Sequence, residues 1–154
     1  KVLAEAGIVY VDAGVLALHL VGDARYLPLT RAILAGLRDG DFTAFTSAIT
    51  IYQVLVEPYR SGQEATAERA EALITALQGL EVVPVSATIA RQAAQVKAQI
   101  GGGLPRAIQI ATALAGDSEI YVTRRSTLRR IAGIGVAQLD AYRLGDREQP
   151  AAET

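Results

Sequence analysis

Short β-branched runs alternate with longer segments of helical periodicity along this chain, and this alternation constrains the fold more than any other feature. Five runs predict strands: GIVYVD, DFTAFT, LEVVPVS, SEIYVT and IGVAQL. The first has almost no polar residue before its final Asp, which is typical of a parallel strand buried on both faces. The alternation therefore predicts an α/β fold, a three-layer α/β/α sandwich around a mainly parallel sheet.

Apolar residues at helical spacing predict the segments between the strands to be helices. Ser47 is expected to cap the third predicted helix, and Pro105 to occupy the first position of the sixth. The glycines at 101–103 predict a loop between two helices. The predicted helices cover 15–22, 25–39, 48–59, 63–78, 87–100 and 105–115, with a short one over RRSTLRRI, residues 124–131.

Length and composition indicate one globular domain. The 154 residues suit a single core, which we place at 1–143 with a polar tail at 144–154. The net charge of -1 excludes an overall basic surface for nucleic acid or membrane. The chain has no cysteine, which excludes disulfides and thiolate chemistry and permits a reducing compartment, so we expect a cytoplasmic protein. No apolar run approaches the ~20 residues that cross a bilayer.

Polar residues follow several predicted strands and should meet at one edge of the sheet. Asp12 ends the first strand, Ser47 precedes the helix that carries Gln53, and residues 123–125 follow the fourth strand. The start of the helix at Arg106 should join them, because function in open parallel sheets lies beyond the carboxyl ends of the strands.

Four segments at these positions resemble the PIN-domain nucleases, especially the small bacterial toxin ribonucleases of the VapC type. They are VYVDAGVLALHL, TSAITIYQVLVEPYRSG, GGGLPRAIQIATAL and IYVTRRSTLRRI, in the order and spacing of that family over nearly the whole chain. The resemblance implies a PIN-like fold and four acidic residues around magnesium or manganese, which would cleave RNA. It also implies a homodimer and a small antitoxin protein as partner.

The chain departs from the family at three of those four acidic positions. The first acid corresponds to Asp12, but the second falls on Gln53, the third on Arg106 and the fourth on Arg125. Arg124 stands where the family often has asparagine. Guanidinium groups keep their protons and repel a cation, so we predict that the metal site does not form and that no cofactor is bound.

Glu57 is the one acid that could replace a lost ligand. It lies four residues after Gln53, on the same helix face. Pro58 beside it indicates a helix bend rather than an inward ligand, so we do not favour this rescue.

Two interpretations are open for Asp12 and the arginines predicted to lie near it. We favour an ion pair between Asp12 and Arg106 or Arg125 that seals the pocket. The alternative is that a basic stretch binds RNA phosphates without reading sequence. Its members are Arg106, Arg124, Arg125, Arg129 and Arg130.

For several other side chains we expect a structural role rather than a functional one. Gln53 is expected to bond to neighbours, and Ser47 and Thr123 to cap or close strand ends rather than touch substrate. His19 is expected at a core or half-exposed position rather than as a general base. Tyr52 and Tyr59 could pack against a partner or in the core.

Together these patterns predict a degenerate PIN-like protein without metal-dependent nuclease activity, which acts by protein binding or weak RNA binding. The alternative is an active Mg- or Mn-dependent endoribonuclease toxin that uses Asp12 and Glu57. A third interpretation is a structural or regulatory subunit without RNA affinity.

Overall fold

The computed structural model describes residues 2–126 and 130–142. Helices and strands alternate along almost all of this length, as the sequence predicts. The elements are α1 (Val2–Glu5), β1 (Ile8–Val11), α2 (Ala13–Val21), α3 (Leu27–Asp39), β2 (Thr43–Ser47), α4 (Ile49–Arg60), α5 (Glu64–Ala76), β3 (Leu80–Val83), α6 (Ala87–Ile100), α7 (Leu104–Ala115), β4 (Ile120–Thr123), β5 (Arg130–Ile131), β6 (Ile134–Gln138) and a 3₁₀ turn (Leu139–Ala141).

The strands form one sheet in the order β3-β2-β1-β4-β6-β5, and only β5 runs antiparallel to its neighbour. Successive side chains of β1 enter opposite cores because side chains alternate across a strand. Val9 and Val11 pack with residues of α2 and α3, whereas Tyr10 packs with residues of α6 and α7. Helices therefore cover both faces of the sheet, which confirms the three-layer α/β/α sandwich.

The helix predicted over residues 124–131 is wrong. Residues 124–126 are not helical, residues 127–129 lie outside the described part, and β5 begins at Arg130. Ile131 pairs with Ile134 across a two-residue turn in which Ala132 and Gly133 both have positive φ, 48° and 88°. This turn matches the twist of a hairpin, so the chain reverses here instead of continuing as a helix.

Five of the six predicted helices that the structure confirms begin one or two residues away from the predicted start, and two of these starts involve Ser47 and Pro105. Ser47 is the last residue of β2 rather than the residue before the helix, yet its hydroxyl accepts from the Ile49 N–H at 3.1 Å, at the start of α4. In α7 the first helical residue is Leu104 and Pro105 is the second. Backbone N–H groups in the first turn of a helix have no partner within the helix. Proline, which lacks this group, is therefore tolerated at the second helical position as well as at the first.

Candidate active-site cleft

The predicted polar residues do assemble at the carboxyl edge of the sheet. Asp12, Gln53, Arg106 and Arg125 line one cleft of about 440 Å³. Asp12 directly follows β1, Gln53 lies on α4, Arg106 on the first turn of α7, and Arg125 just after β4. The cleft is also lined by Gly14, Gln109, Tyr121, Thr123, Ser126 and Ile131.

Asp12 is a structural acid at the base of this cleft. It caps α2, where one carboxylate oxygen accepts from the Val15 N–H at 3.1 Å. Burial raises the pKa of Asp12, while hydrogen bonds from Thr123 and from the backbone N–H groups of Val15 and Gly14 act in the opposite direction. Within residues 2–126 and 130–142 no arginine or lysine pairs with this carboxylate, so the predicted ion pair is wrong. The contact from Thr123 confirms its expected strand-end bonding.

Gln109 organises the buried side of the cleft, and the sequence interpretation missed it. Its side chain is buried, and its Oε1 accepts from the Ala13 N–H at 2.9 Å and from the Tyr10 hydroxyl at 3.2 Å. Its Nε2 donates to Gln53 Oε1 at 2.7 Å, which confirms the expected bonding role of Gln53. Gln109 lies three residues after Arg106, on the same face of α7, and this spacing was the available signal.

Asp140 is the second residue that the sequence interpretation missed. It follows β6, and one of its oxygens accepts from Arg125 Nε at 3.0 Å. The other accepts from the Tyr26 hydroxyl at 2.6 Å, and the same hydroxyl accepts from Arg124 Nε at 3.1 Å. The hydrogen bond from Tyr26 is the main reason why the pKa of Asp140 is lowered. The arginines after β4 thus find their counter-ion in Asp140 and not in Asp12.

Arg106 differs from these arginines in its surroundings. It is exposed, and among the residues that the structure describes it forms no ion pair. Arg130 donates to the carbonyl of Gly133 at the hairpin, whereas Arg129 lies outside the described residues. Arg106 therefore presents positive charge to the cleft that no neighbouring carboxylate neutralises.

The PIN domain family model matches residues 9–134 of this chain. The chain belongs to the PIN domain family. No curated protein matches it in sequence. The three-layer sandwich described above is therefore the fold of a PIN domain.

Solved structures with the same fold include toxin and toxin–antitoxin proteins. The VapBC2 complex of Rickettsia felis, bound to a DNA fragment from its promoter, has a TM-score of 0.65 at 12% identity over 85% of this chain and 98% of that chain. A toxin–antitoxin complex from Klebsiella pneumoniae has a TM-score of 0.58 at 22% identity, with 85% and 97% covered. VapC20 of Mycobacterium tuberculosis, a sarcin–ricin loop cleaving toxin, has a TM-score of 0.59 at 17% identity, with 73% and 86% covered. At these identities the likeness shows a common fold.

The side chains of this PIN domain do not fit a divalent metal ion. In the part of the chain that the structure describes, no group of three or more His, Cys, Asp or Glu side chains is placed to hold one. Glu57 lines a different pocket from Asp12 and pairs with Arg60 at 3.2 Å on the surface. Magnesium and manganese prefer several oxygen ligands, whereas Asp12 is the only acid among the described residues that line this cleft, beside Gln53, Arg106 and Arg125.

The remaining candidates lie outside the cleft. His19 Nδ1 is 2.9 Å from the Thr30 hydroxyl in a half-buried position, as expected, and burial lowers its pKa. Tyr52 and Tyr59 are exposed, so they are not core residues. None of the helices described is long and apolar enough to cross a membrane.

Proposed function

We propose that this PIN domain neither binds a catalytic metal in its cleft nor hydrolyses RNA there, and that it acts by binding. The observation that supports it is that Gln53, Arg106 and Arg125 line one cleft with Asp12, at positions where the resemblance to the family implies acids. A cation ~4 Å from a guanidinium would be repelled by several kcal/mol at an effective dielectric of about 20.

Titration of Mn²⁺ into the purified chain by calorimetry tests this proposal, with Asp12→Asn as the matched control. We expect no heat of binding from either protein. Stoichiometric binding that Asp12→Asn abolishes would overturn the proposal. That result would favour the alternative function, a Mg- or Mn-dependent endoribonuclease, and Glu57 would be the next residue to replace.

The converse experiment rebuilds the acids with Gln53→Glu, Arg106→Asp and Arg125→Asp in one chain. We expect this variant to gain Mn²⁺ binding and metal-dependent cleavage of single-stranded RNA, since Asp12 then has three acidic neighbours. Thermal unfolding establishes that the variant is folded. If it is folded but gains no metal binding, then the three positions do not account for the difference from an active nuclease.

Weak RNA binding is the first binding activity that we propose. Arg106 and Arg125 face the cleft, where they can contact phosphates. Arg124 and Arg125 already interact with Asp140, so a phosphate has to compete with an internal carboxylate, which keeps the affinity low. Fluorescence anisotropy with labelled single-stranded RNA should show binding that weakens steeply as salt rises. Binding that does not depend on salt would exclude a phosphate-based mode.

Binding of a protein partner is the second activity, and the exposed apolar surface favours it. Val21, Tyr52 and Leu73 are all more than half exposed, and RNA phosphates make no use of such side chains. The solved structures with this fold include toxin–antitoxin complexes. We propose an antitoxin-like protein as partner and a homodimer as the assembly. Sedimentation of the purified chain tests the homodimer directly.

A further inference from the structure

The side chains at the mouth of the cleft have hydrogen-bond donors to spare. Arg106 is exposed, and its guanidinium forms no hydrogen bond or ion pair with any residue that the structure describes. Gln53 Oε1 accepts from Gln109 at 2.7 Å, whereas Gln53 Nε2 has no partner in the described part of the chain. A ligand that enters the cleft therefore meets donors first.

The acceptors deeper in the cleft already have partners. The carboxylate of Asp12 accepts from the Val15 N–H at 3.1 Å and from the hydroxyl of Thr123. Gln109 Oε1 accepts from the Ala13 N–H at 2.9 Å. A ligand that offers only acceptors, as an ionised phosphoryl group does, thus matches the groups that the cleft leaves available.

Arg125 adds a second guanidinium, which Asp140 occupies on one side. Arg125 Nε donates to Asp140 at 3.0 Å, while its two terminal nitrogens form no hydrogen bond with the residues described. A ligand with a single charge gains little from Arg125, because Asp140 already neutralises it. A dianion with three oxygens has charge and acceptors for Arg106 and for these terminal nitrogens together.

The size and walls of the cleft favour a small ligand that is recognised by its charge. The volume of about 440 Å³ lies in the lower part of the range of small-molecule sites, roughly 300–1,000 Å³. Tyr121 and Ile131 line the cleft but are buried, so they offer little surface on which a base can stack. The organic part of the ligand is therefore selected less strictly than its anionic group.

We propose that the cleft binds a phosphate monoester, whose phosphoryl group is held by Arg106, Arg125 and the amide of Gln53, in preference to a phosphodiester. A monoester carries a charge of about −2 at neutral pH, whereas a diester carries a single charge and a substituent on both sides. This inference rests on the proposed function and makes its ligand more specific, because carboxylates at these three positions would repel the dianion.

Calorimetric titration of the full chain with AMP, cyclic AMP and adenosine tests the preference. The three probes share one nucleoside and carry a phosphate monoester, a phosphodiester and no phosphate. We expect AMP to bind about tenfold more tightly than cyclic AMP, and adenosine to give no heat of binding. Equal affinities for AMP and cyclic AMP, binding of adenosine, or no binding of AMP would overturn the inference.

Matched arginine variants locate the bound phosphate. Arg106→Gln should weaken AMP binding about tenfold, since it removes one charge-assisted contact. Arg91→Gln is the control, because Arg91 is exposed on α6 and does not line the cleft. Equal losses of affinity in the two variants would contradict the assignment, provided that thermal unfolding shows both to be folded.

Asp140→Asn should strengthen binding, a result that partial unfolding cannot produce. Asparagine keeps an acceptor for Tyr26 and removes the charge that competes for Arg125, so we expect AMP to bind about threefold or more tightly. Asp140→Asn should give a smaller gain in a chain that also carries Arg125→Gln. An unchanged or lower affinity in the single variant would mean that Arg125 does not hold the phosphate, and the inference would fail.

Short single-stranded RNAs with a terminal phosphate or a terminal hydroxyl distinguish two sources of the monoester. Tighter binding of the phosphorylated RNA than of AMP would assign the ligand to an RNA end, and the reverse order would assign it to a free small molecule. RNA binding that ignores the terminal phosphate, with AMP no better than cyclic AMP, would overturn the inference and leave the proposed function intact. Mn²⁺ binding that depends on Asp12 would instead remove the proposed function itself.

Discussion

The cleft has a floor, formed by Asp12, Gln109 and Thr123 with the buried Tyr10 bonded to Gln109, and an exposed mouth, formed by Gln53, Arg106 and Arg125. On the floor each polar side chain is tied to its neighbours, as Gln109 is tied to Ala13, Tyr10 and Gln53. At the mouth the side chains face solvent, and Arg125 is 75% exposed even while it pairs with Asp140.

The difference explains why the cleft has an acid at Asp12, while amide and guanidinium groups stand at its mouth. Asp12 caps α2 and lies partly buried at the end of the central strand, so replacing it would remove its hydrogen bonds with the backbone. Gln53, Arg106 and Arg125 are exposed, and an amide in place of an acid at Gln53 still offers an oxygen to the buried Gln109 amide. The fold therefore tolerates an inverted charge at the mouth of the cleft but constrains its floor.

Replacing Gln109 by leucine should give the largest effect. Gln109→Leu leaves the Ala13 N–H and the Tyr10 hydroxyl buried with one partner fewer, so we expect a loss of about 3 kcal/mol in the free energy of unfolding. Urea denaturation measures it. Gln53→Ala, which removes one bond at the exposed end of the same network, should lose less than about 1 kcal/mol. Equal losses of unfolding free energy in the two variants would contradict the difference between the floor and the mouth of the cleft.

Asp140→Asn should give an intermediate effect. Asparagine keeps an acceptor for Tyr26 but removes the charge beside Arg124 and Arg125, so we expect a loss of about 1 kcal/mol at neutral pH. The exposed pair of Asp39 with Arg38 provides the control, and Asp39→Asn should change the stability by less than about 0.5 kcal/mol.

The pH dependence of that difference follows from the lowered pKa of Asp140. Ionised Asp140 contributes stability that is fully present above the ordinary value of 3.8 and is lost as the pH falls through the lower value of the folded chain. The difference between wild type and Asp140→Asn should therefore shrink below about pH 4 in urea denaturation. A constant difference down to acid pH would show that the ion pairs contribute nothing.

Arg106→Glu should give the smallest effect, and in the stabilising direction. Arg106 lies in the first turn of α7, where the helix dipole favours negative charge, so we expect a gain of about 0.3–1 kcal/mol at low ionic strength. Arg91→Glu lies beyond the first turn of α6 and should gain less. A loss of stability in Arg106→Glu would indicate that Arg106 has a structural partner after all.

The fold was predictable from the sequence because its main signals are local. The buried pattern of β1 and the helical spacing of α3 and α6 each follow from neighbouring residues. The hairpin at Ala132 and Gly133 was missed because the apolar spacing of RRSTLRRI also fits a helix, although the glycine between two isoleucines signalled a turn.

The site was predictable only in part. The strand ends brought Asp12, Arg106 and Arg125 to one cleft, as parallel topology requires. Which carboxylate pairs with which arginine depends on the side-chain positions of Tyr26 and Asp140, which lie far apart in sequence. No spacing rule could have connected them before the sheet order was known.

The order of the strands limits how another chain can add a strand to this sheet. The sheet ends on one side at β5, which is two residues long, and on the other at β3, which carries the exposed Glu81. Short and charged borders offer little backbone for another strand to extend the sheet, which also protects against fibrillar aggregation. Another molecule is therefore more easily bound in the cleft or on the helix surfaces than by extension of the sheet.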